Sequence, residues 1–151
     1  MNRHVLCAID LESFEQQIVD VAAFFARTLG TELDIVYVTT IPEINDRRFT
    51  GYSRSLPDIL PNDQRLKSVR SDDAEIKINH HHLLGMPREE LMRFIEESTP
   101  QLAVVGTHGR HGLPRLVLGS VAEHLLRHAP CPVVIVRQEQ ASRPAVQTKA
   151  Q

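Results

Sequence analysis

Apolar residues fall along this chain in short blocks that alternate between a strand-like and a helix-like spacing, with polar breaks between them. Residues 4–9, HVLCAI, form an apolar run that stops at Asp10 and predict a first strand. Ser13 and Gln16 then have capping-box spacing, and Phe14, Ile18, Val21, Phe25 and Leu29 recur at helical spacing before Gly30. A helix with that stripe toward the core and Gly30 past its end is expected. Residues 33–40, with Ile35, Val36, Tyr37 and Val38 consecutive, have the unbroken apolar character of a strand buried on both faces.

From residue 41 to 73, Pro42, Gly51, Pro57 and Pro61 interrupt any long helix, and only 62–70 reads as helical. So long a connection in a small domain serves either as a lid over a site or as a plain connector. A third strand is predicted at 74–82. It is followed by a helix that opens at Pro87, carries Leu91, Phe94 and Ile95, and stops before Pro100. A fourth strand at 102–105, a helix at 119–128 and a fifth strand at 132–136 complete the order β-α-β-α-β-α-β-α-β. Residues 1–137 are expected to form one domain, and the small polar residues of 138–151 a disordered tail.

Strands alternating with helices predict an α/β fold: a parallel sheet with helices on both faces, joined by right-handed crossovers. Covering both faces requires the strand order to reverse once, which leaves a crevice at the strands' C-terminal ends where ligands bind in this class. Two strand ends carry unusual residues. The first strand ends in Asp10. The fourth runs into Gly106-Thr107-His108-Gly109-Arg110-His111-Gly112 and on to Gly119-Ser120 at a helix start. Glycines there permit positive φ and close approach of backbone N–H groups, the requirement of a phosphate nest. The helix start supplies unpaired N–H groups and a partial positive charge, and Ser120 a hydroxyl. Arg110 and Arg115 add charge nearby. Glycines also close ordinary turns, so loop composition alone leaves the nest and the plain turn both open.

Charge and composition narrow the classes. A chain of 151 residues with net charge −2 fits one domain and has no general attraction for nucleic acid or an anionic membrane. The opening MNRHVLCAIDLE lacks the features of a signal peptide and no apolar run reaches membrane-spanning length, so a soluble cytoplasmic protein is expected. Cys7 and Cys131 are too few for a disulfide framework and lack metal spacing. No glycine lies between Met1 and Leu29, which excludes a nicotinamide-dehydrogenase fingerprint after the first strand. Lys67, Lys77 and Lys149 are the only lysines and none follows a glycine loop, which excludes a P-loop. His124 and His128 share a helical face without the further ligands zinc needs. His80, His81 and His82 alternate between sheet faces and are expected to be solvated or at an interface rather than a three-ligand cluster. His108 and His111 would donate to phosphate, more strongly when protonated below about pH 6.5.

The spacing G-x2-G-x9-G-S, formed by Gly106, Gly109, Gly119 and Ser120, lies in the required strand–loop–helix context. With GTHGRHGLPRLVLGSVAEHLLRHAPCPVVIVR as a whole, the opening VLCAIDLES, IVYVTT and Gly85-x-Pro87, the chain resembles the universal stress protein family, in its ATP-binding branch, over most of residues 3–137. The resemblance implies a Rossmann-like five-stranded sheet of order 3-2-1-4-5. It implies an adenine nucleotide, ATP, with Asp10 beside it and its magnesium ion, Val38 offering backbone to the adenine, and Gly106 at the ribose. Gly109, Gly119, Ser120 and Val121 would hold phosphates, with His108 in the same loop. No catalytic residue is implied. Leu11-Glu12-Ser13 stands where the family commonly has Gly-Ser, so the geometry of that turn cannot be carried over from relatives, and the second helix is shortened.

Three functions follow: an ATP-binding module in stress response or signalling, a scaffold of the same fold independent of nucleotide, or a slow magnesium-dependent ATPase using Asp10. In the implied strand order residues 132–136 form an apolar edge, and family members often pair through it, so a homodimer about that strand is expected.

Overall fold

The computed structural model describes residues 3–11, 15–40, 56–107 and 118–137. In chain order the elements are β1 (His4–Ile9), α1 (Glu15–Leu29), β2 (Glu32–Thr40), α2 (Leu56–Ser68), β3 (Ile78–Gly85), α3 (Pro87–Ser98), β4 (Leu102–Gly106), α4 (Ser120–His128) and β5 (Val133–Val136). The strands form one parallel sheet ordered β3-β2-β1-β4-β5, the order that the resemblance implies. The order reverses between β1 and β4. Ser13, Phe14, most of the glycine loop and the tail of 138–151 lie outside the described residues.

Strand alternation divides the core into two layers. Val5, Cys7, Ile9, Leu33, Ile35 and Val104 face α1 and the end of α2, where Leu66 and, just past the helix, Val69 are buried. Leu6, Val36, Val38, Ala103 and Val105 face α3 and α4, where Leu91, Ile95, Ala122 and Leu125 are buried. Each large apolar side chain removed from water here contributes about 1.5–3 kcal/mol. Among the described residues no helix is long and apolar enough to cross a membrane.

Three expectations change. The buried face of α1 is Ile18, Val19, Ala22, Ala23 and Ala26; Val21 and Phe25 only flank it, and Leu29 is exposed. Bulk suggested the stripe, but the alanines let the helix lie close against the sheet. The second helix runs over Leu56–Ser68 rather than 62–70. Pro57 falls in its first turn, where the missing N–H has no intrahelical acceptor to lose. The third strand is Ile78–Gly85, not 74–82. Asp73 turns the chain just before it: its carboxylate accepts from the Glu75 N–H at 3.1 Å, and its carbonyl from the Ile76 N–H at 3.3 Å. The strand then continues through Leu83 and Leu84 to pair Gly85 with Thr40.

Gly85 fixes the entry to α3. Its φ is +147°, and a Cβ there would lie 2.8 Å from Cγ of Glu90. Pro87 opens the helix, as its spacing predicts, and Thr99 closes it in the left-handed region with its N–H on the Ile95 carbonyl.

Candidate functional site

At the C-terminal edge of the sheet, β1 and β4 end level with one another and β2 runs three residues further, to Thr40. β1 pairs with β4 through Ala8↔Val105, which leaves Asp10 and Thr107 each two residues past that pair. β1 pairs with β2 through Ile9↔Tyr37, which puts Val38 one step on, beside Asp10. Because β1 and β4 carry their crossovers to opposite faces, this edge is the crevice of the fold.

The β4 side of the crevice is built from backbone. The Thr107 N–H donates to the Val136 carbonyl at 3.0 Å, tying the strand end to β5. The Gly119 N–H donates to the Thr107 carbonyl at 2.6 Å, so the chain returns to the point from which it left β4. Thr107 is buried and Gly106 half-buried. Gly119 is the N-cap of α4 in extended conformation, and its carbonyl accepts from the Glu123 N–H at 2.9 Å. Helix geometry leaves the N–H groups of Ser120, Val121 and Ala122 without intrahelical acceptors, at the positive end of the helix. Ser120 is exposed and Val121 packs on the sheet, which orients this first turn.

On the β1 side the chain bends at Leu11. Leu11 adopts φ +60°, the left-handed region in which a leucine costs about 1–2 kcal/mol relative to ordinary backbone. Two contacts offset that cost. Its side chain is buried in the α1 layer, and its carbonyl accepts a hydrogen bond from Nη2 of Arg65 on α2. The turn that glycine would make freely is thus made here by leucine under restraint. Glu15, the first residue of α1, has its Oε2 buried with no hydrogen-bond partner among the described residues. Burial pushes its carboxyl above the usual range; the Arg65 charge works against that and the Asp10 charge adds to it.

Two polar networks on β3 account for the histidine run. His82 and Thr39 share a hydrogen bond of 2.7 Å through Nε2, and Nδ1 of His82 lies 3.6 Å from Oδ1 of Asp63 on α2. The hydrogen bond from Lys67 to Asp63, together with the charges of Lys67 and His82, outweighs partial desolvation and lowers the Asp63 carboxyl. His80, on the same face, bonds the Val69 carbonyl at 2.9 Å. His81 points to the other face, where its Nε2 is 3.2 Å from Oδ2 of Asp34 and its ring lies against Phe94. The three imidazoles are thus half-buried, alternate between the sheet faces as expected, and each also has a partner within the chain.

Of the residues implied as a nucleotide site, Asp10, Val38, Gly106, Gly119, Ser120 and Val121 are described. The strand register and the return of the chain to Thr107 bring them to one edge. His108 and Gly109 lie outside the described residues. Thr107, Arg65 and Glu15 were missed. Thr107 had a signal, since it directly follows the fourth strand. Arg65 had none, because the register of α2 against the sheet is not written in its own sequence. Among the described residues no three His, Cys, Asp or Glu side chains converge as a metal centre.

Comparison with known proteins places this geometry in a group. The family model described as the universal stress protein family matches residues 1–137. A universal stress protein A homologue of Coxiella burnetii is 33% identical over 142 residues, covering 89% of this chain and 95% of the relative. A solved universal stress protein from Archaeoglobus fulgidus, in complex with dAMP, superposes with a TM-score of 0.65 at 21% identity, covering 89% of this chain and 97% of the other. Another solved universal stress protein, in complex with cAMP, gives a TM-score of 0.64 at 21% identity and covers 90% and 97%.

Proposed function

The chain belongs to the universal stress protein family, and on that premise we propose that it is an adenine-nucleotide-binding module of stress response or signalling. The observation that carries this reading is the start of α4 at the crevice, with Gly119 drawn onto Thr107 and three N–H groups of the first turn left for an anion. The dAMP and cAMP carried by the two solved relatives support an adenine nucleotide as the ligand.

ATP is the form proposed. Its phosphates would lie against Ser120 and Val121 and along the loop through His108 and Gly109, with Gly119 allowing close approach. Its ribose would lie at Gly106 and its adenine against the backbone at Val38. With no ready metal cluster among the described residues, magnesium would be held chiefly by phosphate oxygens, with Asp10 as its protein neighbour. Binding, rather than turnover, is the proposed activity, in the cytoplasm.

Among the described residues β5 pairs only with β4, and a homodimer through residues 132–136 is part of the same proposal.

Mass spectrometry of nucleotide released on denaturing the purified protein, with calorimetry using ATP and magnesium, tests this reading. Co-purified adenine nucleotide and saturable binding are expected. Absence of both would leave the nucleotide-independent scaffold.

A further inference from the structure

The turn after β1 departs from glycine, and its restraint comes from a different element. Leu11 stands at φ +60° with its side chain buried, and Arg65 reaches from α2 to its carbonyl. The Arg65 charge also acts on Glu15, favouring its carboxylate, so one guanidinium serves the turn's backbone and the acid that opens α1. α2 is anchored where Arg65 leaves it: Leu66 and Val69 are buried, and Asp63 contacts His82 of β3. Arg65 on α2 thus donates to the backbone immediately after Asp10, at the mouth of the crevice.

We propose that Arg65 is a positioning residue for the nucleotide site, holding the Asp10–Leu11 turn in its left-handed form by donating to the Leu11 carbonyl. Without that donor the strained leucine relaxes toward ordinary backbone, and Asp10 swings away from the level it shares with Val38 and Thr107. The proposal rests on the nucleotide-binding reading and assigns to it a residue that touches no ligand. It also makes the site depend on how α2 is docked.

Arg65→Met keeps the stem without a donor, and Arg65→Lys restores one N–H donor and the charge. Calorimetry with ATP and magnesium is expected to show about tenfold weaker binding for Arg65→Met, the loss of one charged hydrogen bond, and recovery to within about threefold for Arg65→Lys. Equal affinity of Arg65→Met and the unaltered chain would overturn the proposal. So would equal losses in both variants, which would mark Arg65 as packing only. A second measurement, amide hydrogen exchange at residues 10–11, needs no nucleotide. Faster exchange in Arg65→Met than in the unaltered chain is expected, and unchanged exchange would overturn the positioning role even if no nucleotide binds. Failure of the unaltered chain to bind ATP, with exchange still faster in Arg65→Met, would sink the nucleotide reading alone.

Discussion

The N–H of Gly119 lies 2.6 Å from the carbonyl of Thr107, and this bond brings the start of α4 to the end of β4. It also occupies the Gly119 donor, so an anion at this helix start depends on the amides of Ser120, Val121 and Ala122.

Gly119→Asp separates folding from binding. Aspartate is a favoured N-cap and the backbone at Gly119 is extended, so thermal stability should stay level or rise. The same carboxylate would face phosphate at close range, and ATP affinity should fall by more than about tenfold. Retained affinity in a folded variant would remove the start of α4 from the site.

Ser120→Ala should weaken ATP binding by about fivefold, corresponding to about 1 kcal/mol for one lost neutral hydrogen bond. Calorimetry on the two proteins side by side reads this directly. An unchanged constant would leave the backbone of the first turn as the sole contribution of Ser120.

Asp34 sets an acid limit on stability. Burial opposes its ionisation, but His81, Asn79 and the charge of His4 outweigh that and hold its carboxyl below the usual range. A depressed folded-state pKa stabilises the fold above the unfolded value, near about 3.9, and that contribution is lost as pH falls through the folded one. Urea unfolding between pH 7 and pH 3 should show Asp34→Asn less stable at neutral pH and the difference shrinking at the acid end. A difference independent of pH would mean that packing, not charge, accounts for the loss.

Glu15 has the opposite sign. Its carboxyl is raised chiefly by burial, so the fold is favoured while it is protonated and loses stability as pH rises from the unfolded value toward the folded one. Glu15→Gln should therefore stabilise the protein at pH 7, by less than about 1 kcal/mol for a partly exposed group. A destabilised glutamine variant would show that the anion has a partner worth more than its burial.

The dimer proposal is tested on backbone rather than side chains, because Val134 and Ile135 pack into the two core layers. The Pro132 and Val136 carbonyls face β4, so the N–H and carbonyl of Val133 face outward. Val133→Pro removes an outward donor and should shift sedimentation from dimer to monomer with the fold retained. An unaltered chain already monomeric at tens of micromolar would end the proposal.

Much of this protein is legible from local pattern. The apolar runs at β1 and β2, Pro87 at the start of α3 and Gly119-Ser120 at the start of α4 each encode their element through spacing a short window can hold. Alternation of strands and helices then required a reversal of order, and the glycine spacing identified the family. Errors arose where neighbours outweigh period: alanines take the centre of the buried face of α1 with Phe25 at its flank, and an Asx turn at Asp73 delays β3.

What the sequence by itself determined is the order of the elements, the two-layered sheet and the strand ends that border the crevice. The first two follow from periodicity and from the few ways such elements pack, and the strand ends from the order that the family resemblance implies. Tertiary structure alone decided that His81 meets Asp34 while His82 meets Thr39, and that Arg65 restrains a left-handed Leu11. Such pairings depend on register between strands and on the docking of α2, and residues 43 and 54 positions apart in the chain carry no local mark of the distance at which folding places them.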